Sequence, residues 1–191
     1  MRTAACRALL LAILSPLTPA PARGSVVAEM DLAELCRSAD IVIHGQVVSA
    51  ESAWEGGAIA TRSTVVAWRS LKGASRGQVV VRTSGGVVGG IGQRVSGEAV
   101  LGPGQEVLLF LEGAGPDFRP VGMARGAFRV RRDPATGAKV AWQDLDGLAV
   151  ARPGSRGLEV APAAPAAPVP LQDLLRRIER LVAAGAPAGS R

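Results

Sequence analysis

The stretch Ser84–Gly97 reads S-G-G-V-V-G-G-I-G-Q-R-V-S-G and decides between two kinds of fold. Glycine-rich runs either bind phosphate between a strand and a helix, or bend a β-sheet. A Walker-type phosphate loop requires Lys and then Ser or Thr after its last glycine, whereas Gln93 and Arg94 follow here. A dinucleotide-binding loop opens a helix, but segment 97–104 contains three glycines and a proline. The stretch therefore predicts bent β-structure, with bulges or close backbone approach, and no nucleotide cofactor.

Short apolar or alternating segments surround this stretch and predict a mainly β fold. Glu106–Glu112 (E-V-L-L-F-L-E) is continuous apolar sequence between two acids, which is typical of a strand buried on both faces. In segment 41–47 apolar residues alternate with His44 and Gln46, which predicts a strand with one wet face. The predicted strands are 41–50, 59–68, 78–83, 106–112, 118–124, 127–132 and 139–142. Strands of this length and spacing predict a small, closed or partly open β-barrel over residues 23–150.

A short helix is predicted at 31–39, ahead of the first of these strands. Asp31 and Glu34 have the spacing of a capping box, and the apolar residues that follow share one helical face.

The sequence after the barrel predicts a linker and a second helix. Residues 151–170 are rich in Ala, Pro and Gly, which predicts a stiff extended linker. Residues 171–184 predict an amphipathic helix, and 185–191 a disordered tail. The apolar stripe of this helix consists of Leu171, Leu174, Leu175, Ile178, Leu181 and Val182. Either the stripe docks on the barrel, or Leu174, Ile178 and Leu181 contact another chain or a membrane surface.

The first residues have the layout of a secretory signal peptide. Basic Arg2 and Arg7 precede or enter an apolar run, and the small-residue site 20–22 follows it. We expect residues 1–22 to be removed on export to the periplasm or the cell exterior, leaving no transmembrane segment.

The charge pattern argues against nucleic acid as a partner. The formal net charge is +6, and two arginines and no acids lie within residues 1–22, so the mature chain carries +4. The basic residues are scattered, and the chain has three Trp, three Phe and no Tyr. Nucleic-acid surfaces cluster basic residues and add aromatic rings that stack on bases.

Few residues are present that could support catalysis or bind a metal. His44 is the only histidine and is interpreted as a solvated surface residue. Asp144 and Asp146 alternate as in a calcium loop, but the Gly and Glu that such a loop requires are missing. Cys36 would be the only cysteine of the mature chain, so it is either a small buried hydrophobe or an intermolecular thiol. No catalytic, metal-binding or cofactor-binding residue is predicted, and we expect the protein not to be an enzyme.

Trp54 is the aromatic residue of greatest interest. It lies in a predicted turn beside Glu51 and Glu55, where burial is least assured. It is interpreted either as a lid over the core or as a contact for a partner, because Trp is a frequent anchor at protein interfaces.

The blocks L-C-R-S-A-D-I-V-I-H-G-Q-V-V-S, T-V-V-A-W-R-S-L-K-G and P-G-Q-E-V-L-L-F-L, within residues 35–111, resemble the opening of netrin-like or TIMP-like modules. They are similar also to uncharacterised exported bacterial proteins. The resemblance implies an OB-type β-barrel packed by helices. It does not imply zinc chelation by an N-terminal cysteine, because the mature chain would begin at Arg23 and only Cys36 matches a cysteine of the family.

Together these observations predict an exported, non-catalytic binding or structural module that meets a protein or envelope component. The alternative is a protease-inhibitor-like protein that acts through exposed loops near Trp54 and the glycine stretch. An oligonucleotide-binding barrel is a third hypothesis, and the scattered charges and sparse aromatic residues argue against it.

Overall fold

The computed structural model describes residues 25–74, 77–114, 116–154 and 157–185. The predicted signal peptide and residues 186–191 of the predicted tail lie outside these ranges.

Within the described ranges the protein is mainly β, as predicted. The strands are β1 (Ser25–Ala28), β2 (Ile41–Glu55), β3 (Ala58–Lys72), β4 (Gln78–Ser84), β5 (Gly86–Val88), β6 (Ile91–Gln93), β7 (Glu106–Ala114), β8 (Asp117–Pro120), β9 (Ala127–Arg132), β10 (Lys139–Gln143), β11 (Leu148–Gly154), β12 (Gly157–Pro162) and β13 (Val169–Pro170). The helices are α1 (Leu32–Ser38) and α2 (Leu171–Gly185), and a 3-10 turn spans Met123–Gly126. Each predicted strand coincides with an observed one, except that the strand expected at 118–124 ends at Pro120 and gives way to this turn.

The main sheet has the strand order β13-β10-β9-β7-β2-β3-β4-β8. Its last strand also pairs with β7, so β8 has a neighbour on both sides. It runs parallel to β4, where Val81 aligns with Phe118, and antiparallel to β7, where Leu111 aligns with Pro120. The pairings β2-β3-β4-β8-β7-β2 therefore return to their starting strand.

Two apolar clusters lie on the opposite faces of this sheet. On one face of this ring of pairings, Val47, Val65, Val81 and Leu109 are fully buried and belong to one cluster. On the other face, Val42, Leu108, Phe110 and Phe128 pack against the two helices. Glu106–Glu112 contributes to both clusters, which explains why its sequence is apolar without alternation.

Helix α1 is held at both ends. Asp31 is its N-cap, with Oδ1 accepting the N–H of Glu34 at 2.7 Å. At the other end, Lys72 of β3 donates through Nζ to the carbonyl oxygens of Cys36 at 2.8 Å and Arg37 at 3.1 Å. Carbonyl groups in the last turn of a helix have no partner within the helix, so Lys72 both caps α1 and fixes it to the sheet.

Helix α2 docks on the protein's own sheet. Leu171, Leu174, Leu175 and Ile178 are buried in the helix-covered cluster, and Leu181 and Val182 pack at its edge. The docking interpretation is therefore confirmed. Leu174 and Ile178 are not available to a partner, and Leu181 is partly covered, so the structure contradicts a partner contact through this stripe. Neither α2 nor α1 has the length and apolarity that a membrane-spanning helix needs.

The described residues of segment 151–170 contain paired strands where the composition predicts a linker. Strand β11 continues to Gly154, and β12 pairs with it antiparallel from Gly157 to Pro162. Together with β1, which runs parallel to β11, they form a separate three-stranded sheet in the order β1-β11-β12. Strand β13 joins the main sheet beside β10.

The glycine stretch forms a two-stranded hairpin, β5–β6, rather than a bent continuation of β4. Gly89 and Gly90 form its turn with φ of 57° and 81°, and two positive φ values in succession are those of a type I′ hairpin turn. Gly86 gives the close approach that was predicted, because a Cβ there would lie 2.3 Å from Ser52 Oγ. The stretch is thus part of the β-architecture and opens no helix.

Candidate binding surfaces

The hairpin of β2 and β3 extends beyond the ring as an arm, and β5–β6 lies against it. The arm ends in a two-residue turn at Gly56 and Gly57, with φ of 57° and 86°. Ser52 and Thr61 are paired across the arm, and Thr61 Oγ1 donates to the carbonyl of Gly85 at 2.6 Å. These contacts fix the start of the glycine hairpin on one face of the arm.

The arm and this hairpin carry exposed apolar side chains. Trp54, Val87 and Ile91 are 51%, 66% and 57% exposed, and we call these three residues the arm surface. In the hairpin Val87 lies opposite Gly92 and Ile91 opposite Val88, so Val87 and Ile91 project from its two opposite faces. Trp54 lies two residues beyond Ser52, so the two side chains point to the same face of β2. Its cross-strand partner Ile59 is buried on the same face, whereas about half of the Trp54 side chain is exposed to solvent.

A groove of about 370 Å³ adjoins the arm surface. It lies between the glycine hairpin and segment 94–101, and Val87, Gln93 and Val100 are among its lining residues. A volume in this range suits a side chain or a small ligand.

The outer side of the arm carries a charged cluster. Arg62 Nε donates to Asp117 Oδ2 at 2.7 Å, and Arg62 also pairs with Glu55. Arg82 binds the other oxygen of Glu55 at 2.9 Å. The hydrogen bond from Arg82 is the main cause that lowers the pKa of Glu55. The cluster pairs its own charges and joins β8 to the arm.

His44 is not a solvated surface residue, and the structure corrects that interpretation. Its side chain is 12% exposed, and Nε2 lies 2.9 Å from Glu106 Oε1. The carboxylate also accepts both hydrogen bonds of Lys139 Nζ, at 2.8 and 2.7 Å. The rings of His44 and Trp68 are nearly perpendicular, with their centres 5.4 Å apart. The sequence predicts that the face of β2 carrying His44 is solvated, but this is the face that the helices cover.

The electrostatics of Glu106 fix the proton on His44. Burial raises the pKa of Glu106, but hydrogen bonds from Lys139 and His44 outweigh it and hold the pKa below its ordinary value. An ionised carboxylate only accepts hydrogen bonds. The Nε2 atom of His44 is therefore protonated and donates a hydrogen bond to Glu106. With its carboxylate satisfied by two donors, this cluster serves to join β2, β7 and β10.

Cys36 is buried beneath α1 and is a free thiol. Burial raises its pKa, which lowers the fraction of reactive thiolate. Of the two interpretations of Cys36, the structure agrees with the small buried hydrophobe, and its burial argues against an intermolecular thiol. Among the described residues, no three His, Cys, Asp or Glu side chains are grouped so as to bind a metal ion. Asp144 and Asp146 instead pair with Arg129 and Arg94.

Comparison with known proteins assigns the chain to no family. No family model matches the chain, and no curated protein matches it.

Sequence reasoning singled out Trp54 but missed the two residues that complete the arm surface. Val87 and Ile91 flank the turn of the glycine hairpin, and in the sequence they resemble ordinary strand residues. A hairpin of three-residue strands has little core of its own, so large apolar residues in it are the signal that could have indicated exposure. The pairing of His44 with Glu106 had no such signal, because 62 residues separate the partners.

Proposed function

We propose that the protein is an exported, non-catalytic binding module that contacts a protein or envelope component through the arm surface. The observation that carries this proposal is the exposure of Trp54, Val87 and Ile91 on one projecting part of the molecule. Large aromatic and aliphatic side chains that are exposed to water on one part of a molecule are typical of surfaces that bind another protein.

The glycine hairpin makes this surface well defined. Its backbone contacts with Ser52 and Thr61 fix the hairpin on the arm before any partner arrives. A surface that is ordered in advance loses less conformational entropy on binding.

The scaffold we propose is an OB-type barrel built from β2, β3, β4, β7 and β8. The cyclic order of pairings supports it, since OB-folds are small five-stranded barrels. This architecture is also what the resemblance to netrin-like and TIMP-like modules implies. Protease inhibition by an inserted loop has less support, because the arm ends in the two-residue turn at Gly56 and Gly57 and offers no extended loop to a protease cleft.

Site-directed photocross-linking in the producing cells tests the proposal. A photoreactive amino acid placed at Trp54, Val87 or Ile91 should give one common cross-linked product. The same group at Val48 or Trp68, which are also exposed but lie off the arm surface, should not. If the three arm positions give no product, or the same products as the controls, then the arm surface is not the binding site.

Export is tested separately by fractionation and by mass spectrometry of the N-terminus. We expect the protein outside the cytoplasm and a mature chain beginning at Arg23. Protein found in the cytoplasm with residues 1–22 still attached would contradict export. It would not affect the proposal for the arm surface.

A further inference from the structure

One face of the three-stranded sheet consists entirely of apolar residues. The register aligns them in three rows, which we call the outer face: Val26, Ala149 and Pro162; Ala28, Ala151 and Val160; Pro153 and Leu158. The opposite face packs inward through Leu148 and Val150, which are buried. On the outer face, Leu158 is 74% exposed and Val160 54%. A sheet with one face in water normally places polar residues there, so this pattern is that of a covered surface.

Strand β12, which carries Leu158 and Val160, is also an open edge. Among the described residues it pairs only with β11. The N–H of Ala163 donates to Leu148 O at 2.8 Å, and antiparallel hydrogen bonding alternates along a strand. Glu159 and Ala161 therefore face β11, whereas the N–H and C=O groups of Leu158 and Val160 point away from the sheet.

This edge lacks the usual features that prevent pairing with another chain. Native edges are protected by lysine, by bulges, by proline within the strand or by a covering segment. The β11–β12 register runs without a bulge, no lysine lies in β12, and its proline is at the last position, Pro162.

The sequence of β12 fits a second copy of itself. In an antiparallel pair with Val160 opposite Val160 of the other copy, the two valines exchange both backbone hydrogen bonds. The N–H of Leu158 then donates to the carbonyl of Pro162 in the other copy. Pro162 has no N–H, so it leaves no backbone donor unpaired at this position. A strand opposite its own copy generates a closed twofold interface.

Charge selects this register over its neighbour. With Val160 at the twofold axis, Glu159 lies opposite Ala161 of the other copy, and Arg152 of its own chain lies across from it on β11. A shift that places Leu158 opposite Val160 would bring the two Glu159 carboxylates face to face, which is unfavourable.

The interface along β12 is small, which indicates a weak dimer. Six residues of strand are about 20 Å long, so pairing along β12 buries less than the roughly 1,200 Å² of a standard interface. A groove of about 550 Å³ continues from the outer face, since Ala149 and Pro162 line it together with Trp142 and Leu145. We propose that two copies of the chain form a symmetric dimer through antiparallel pairing of β12, with micromolar or weaker affinity.

Sedimentation equilibrium of the purified protein tests this dimer, over about 1 to 300 µM to span the affinities of small interfaces. We expect a reversible monomer–dimer equilibrium. Val160→Lys places two cations at the axis and should weaken the dimer at least about tenfold. Val100→Lys adds the same charge at another exposed valine and should leave the equilibrium unchanged.

A cysteine experiment tests the register itself in a Cys36→Ala background. Opposed residues of a hydrogen-bonded antiparallel pair have Cα atoms about 5.5 Å apart, within disulfide range. Oxidation of Val160→Cys should therefore give a covalent dimer rapidly, and oxidation of Leu158→Cys should not. Circular dichroism confirms that each variant is folded.

Three results would overturn the dimer: a monomer over the whole range, equal sensitivity to the two lysine variants, or no preference between the two cysteine positions. Dissociation by Trp54→Ser but not by Val160→Lys would instead place self-association on the arm surface. The two surfaces do not depend on each other, so loss of either proposal leaves the other intact.

Discussion

Lys139 and Glu106 form a two-point ion pair between β10 and β7, with Nζ 2.8 Å from one carboxylate oxygen and 2.7 Å from the other. His44 donates to the same carboxylate from β2. Strand β9 lies between β7 and β10 in the sheet. The ion pair between Lys139 and Glu106 therefore crosses over β9 and holds β7, β9 and β10 in register.

The first prediction concerns pH. The pKa of Glu106 is lower in the folded protein than its ordinary value of about 4.5, so the unfolded chain binds the proton more readily. The stabilisation is therefore complete above about pH 4.5 and is lost as pH falls through the lower folded pKa. Glu106→Gln should reduce the free energy of unfolding by about 1–2 kcal/mol at pH 7 and by much less near pH 3.

Urea unfolding at several pH values measures this effect. Glu29→Gln is the matched control, because Glu29 is exposed and the structure gives its side chain no ion pair among the described residues. A loss in Glu106→Gln that is equal at both pH values would contradict the electrostatic account.

The second prediction concerns the docking of α2. Ile178 is fully buried between α2 and the sheet, so Ile178→Ala leaves a cavity and should cost about 2–4 kcal/mol of unfolding free energy. Leu158→Ala removes a similar volume from an exposed position and should cost less than about 0.5 kcal/mol at low protein concentration. Chemical unfolding followed by circular dichroism compares them. Equal costs would mean that α2 does not complete the core.

The third prediction tests the glycine hairpin. Both Gly86 and Gly89 have positive φ, at 141° and 57°. A Cβ at Gly89 meets nothing within 4 Å, so Gly89→Ala should cost only the backbone strain of about 1–2 kcal/mol. Gly86→Ala also collides with Ser52 Oγ and Thr61 Oγ1, and should cost clearly more. Thermal unfolding ranks the two variants, and the reverse order would show that the hairpin does not rest on the arm.

The fourth prediction concerns the Cys36 thiol. Because it is buried and its pKa is raised, it should react with a disulfide reagent at least about tenfold more slowly in the native protein than in urea. Absorbance of the released thiol measures both rates. A native rate close to the unfolded rate would mean that α1 opens readily and that the thiol is accessible after all.

The strands of the main sheet could be predicted because their signals are local. Alternation in β2 and β4, and the apolar run of β7, reflect the face that each strand buries. What covers the second face stayed open in the sequence, because the apolar stripe of α2 could dock on the barrel or contact another chain. His44 alternates as a solvent-facing residue should, and only the packing of α2 and the distant Glu106 make that face partly dry.

The three-stranded sheet escaped prediction because Ala and Pro are typical of linkers. Pro153 and Pro162 are tolerated there for a geometric reason: they occupy positions of the β11–β12 ladder that do not hydrogen-bond across it, so the missing N–H groups break no bond between the two strands. Composition gives the residue types of a segment. It does not give the direction in which the backbone nitrogen of a proline points in the sheet.

The position of α2 in the chain also has a consequence for biosynthesis. Its side chains from Leu171 to Ile178 fill the same cluster as Leu35 and Val42, which are made some 130 residues earlier. The nascent polypeptide thus has an unfinished interior until residue 178 has left the ribosome. A pore that receives the polypeptide during synthesis would therefore take it up before this cluster is complete.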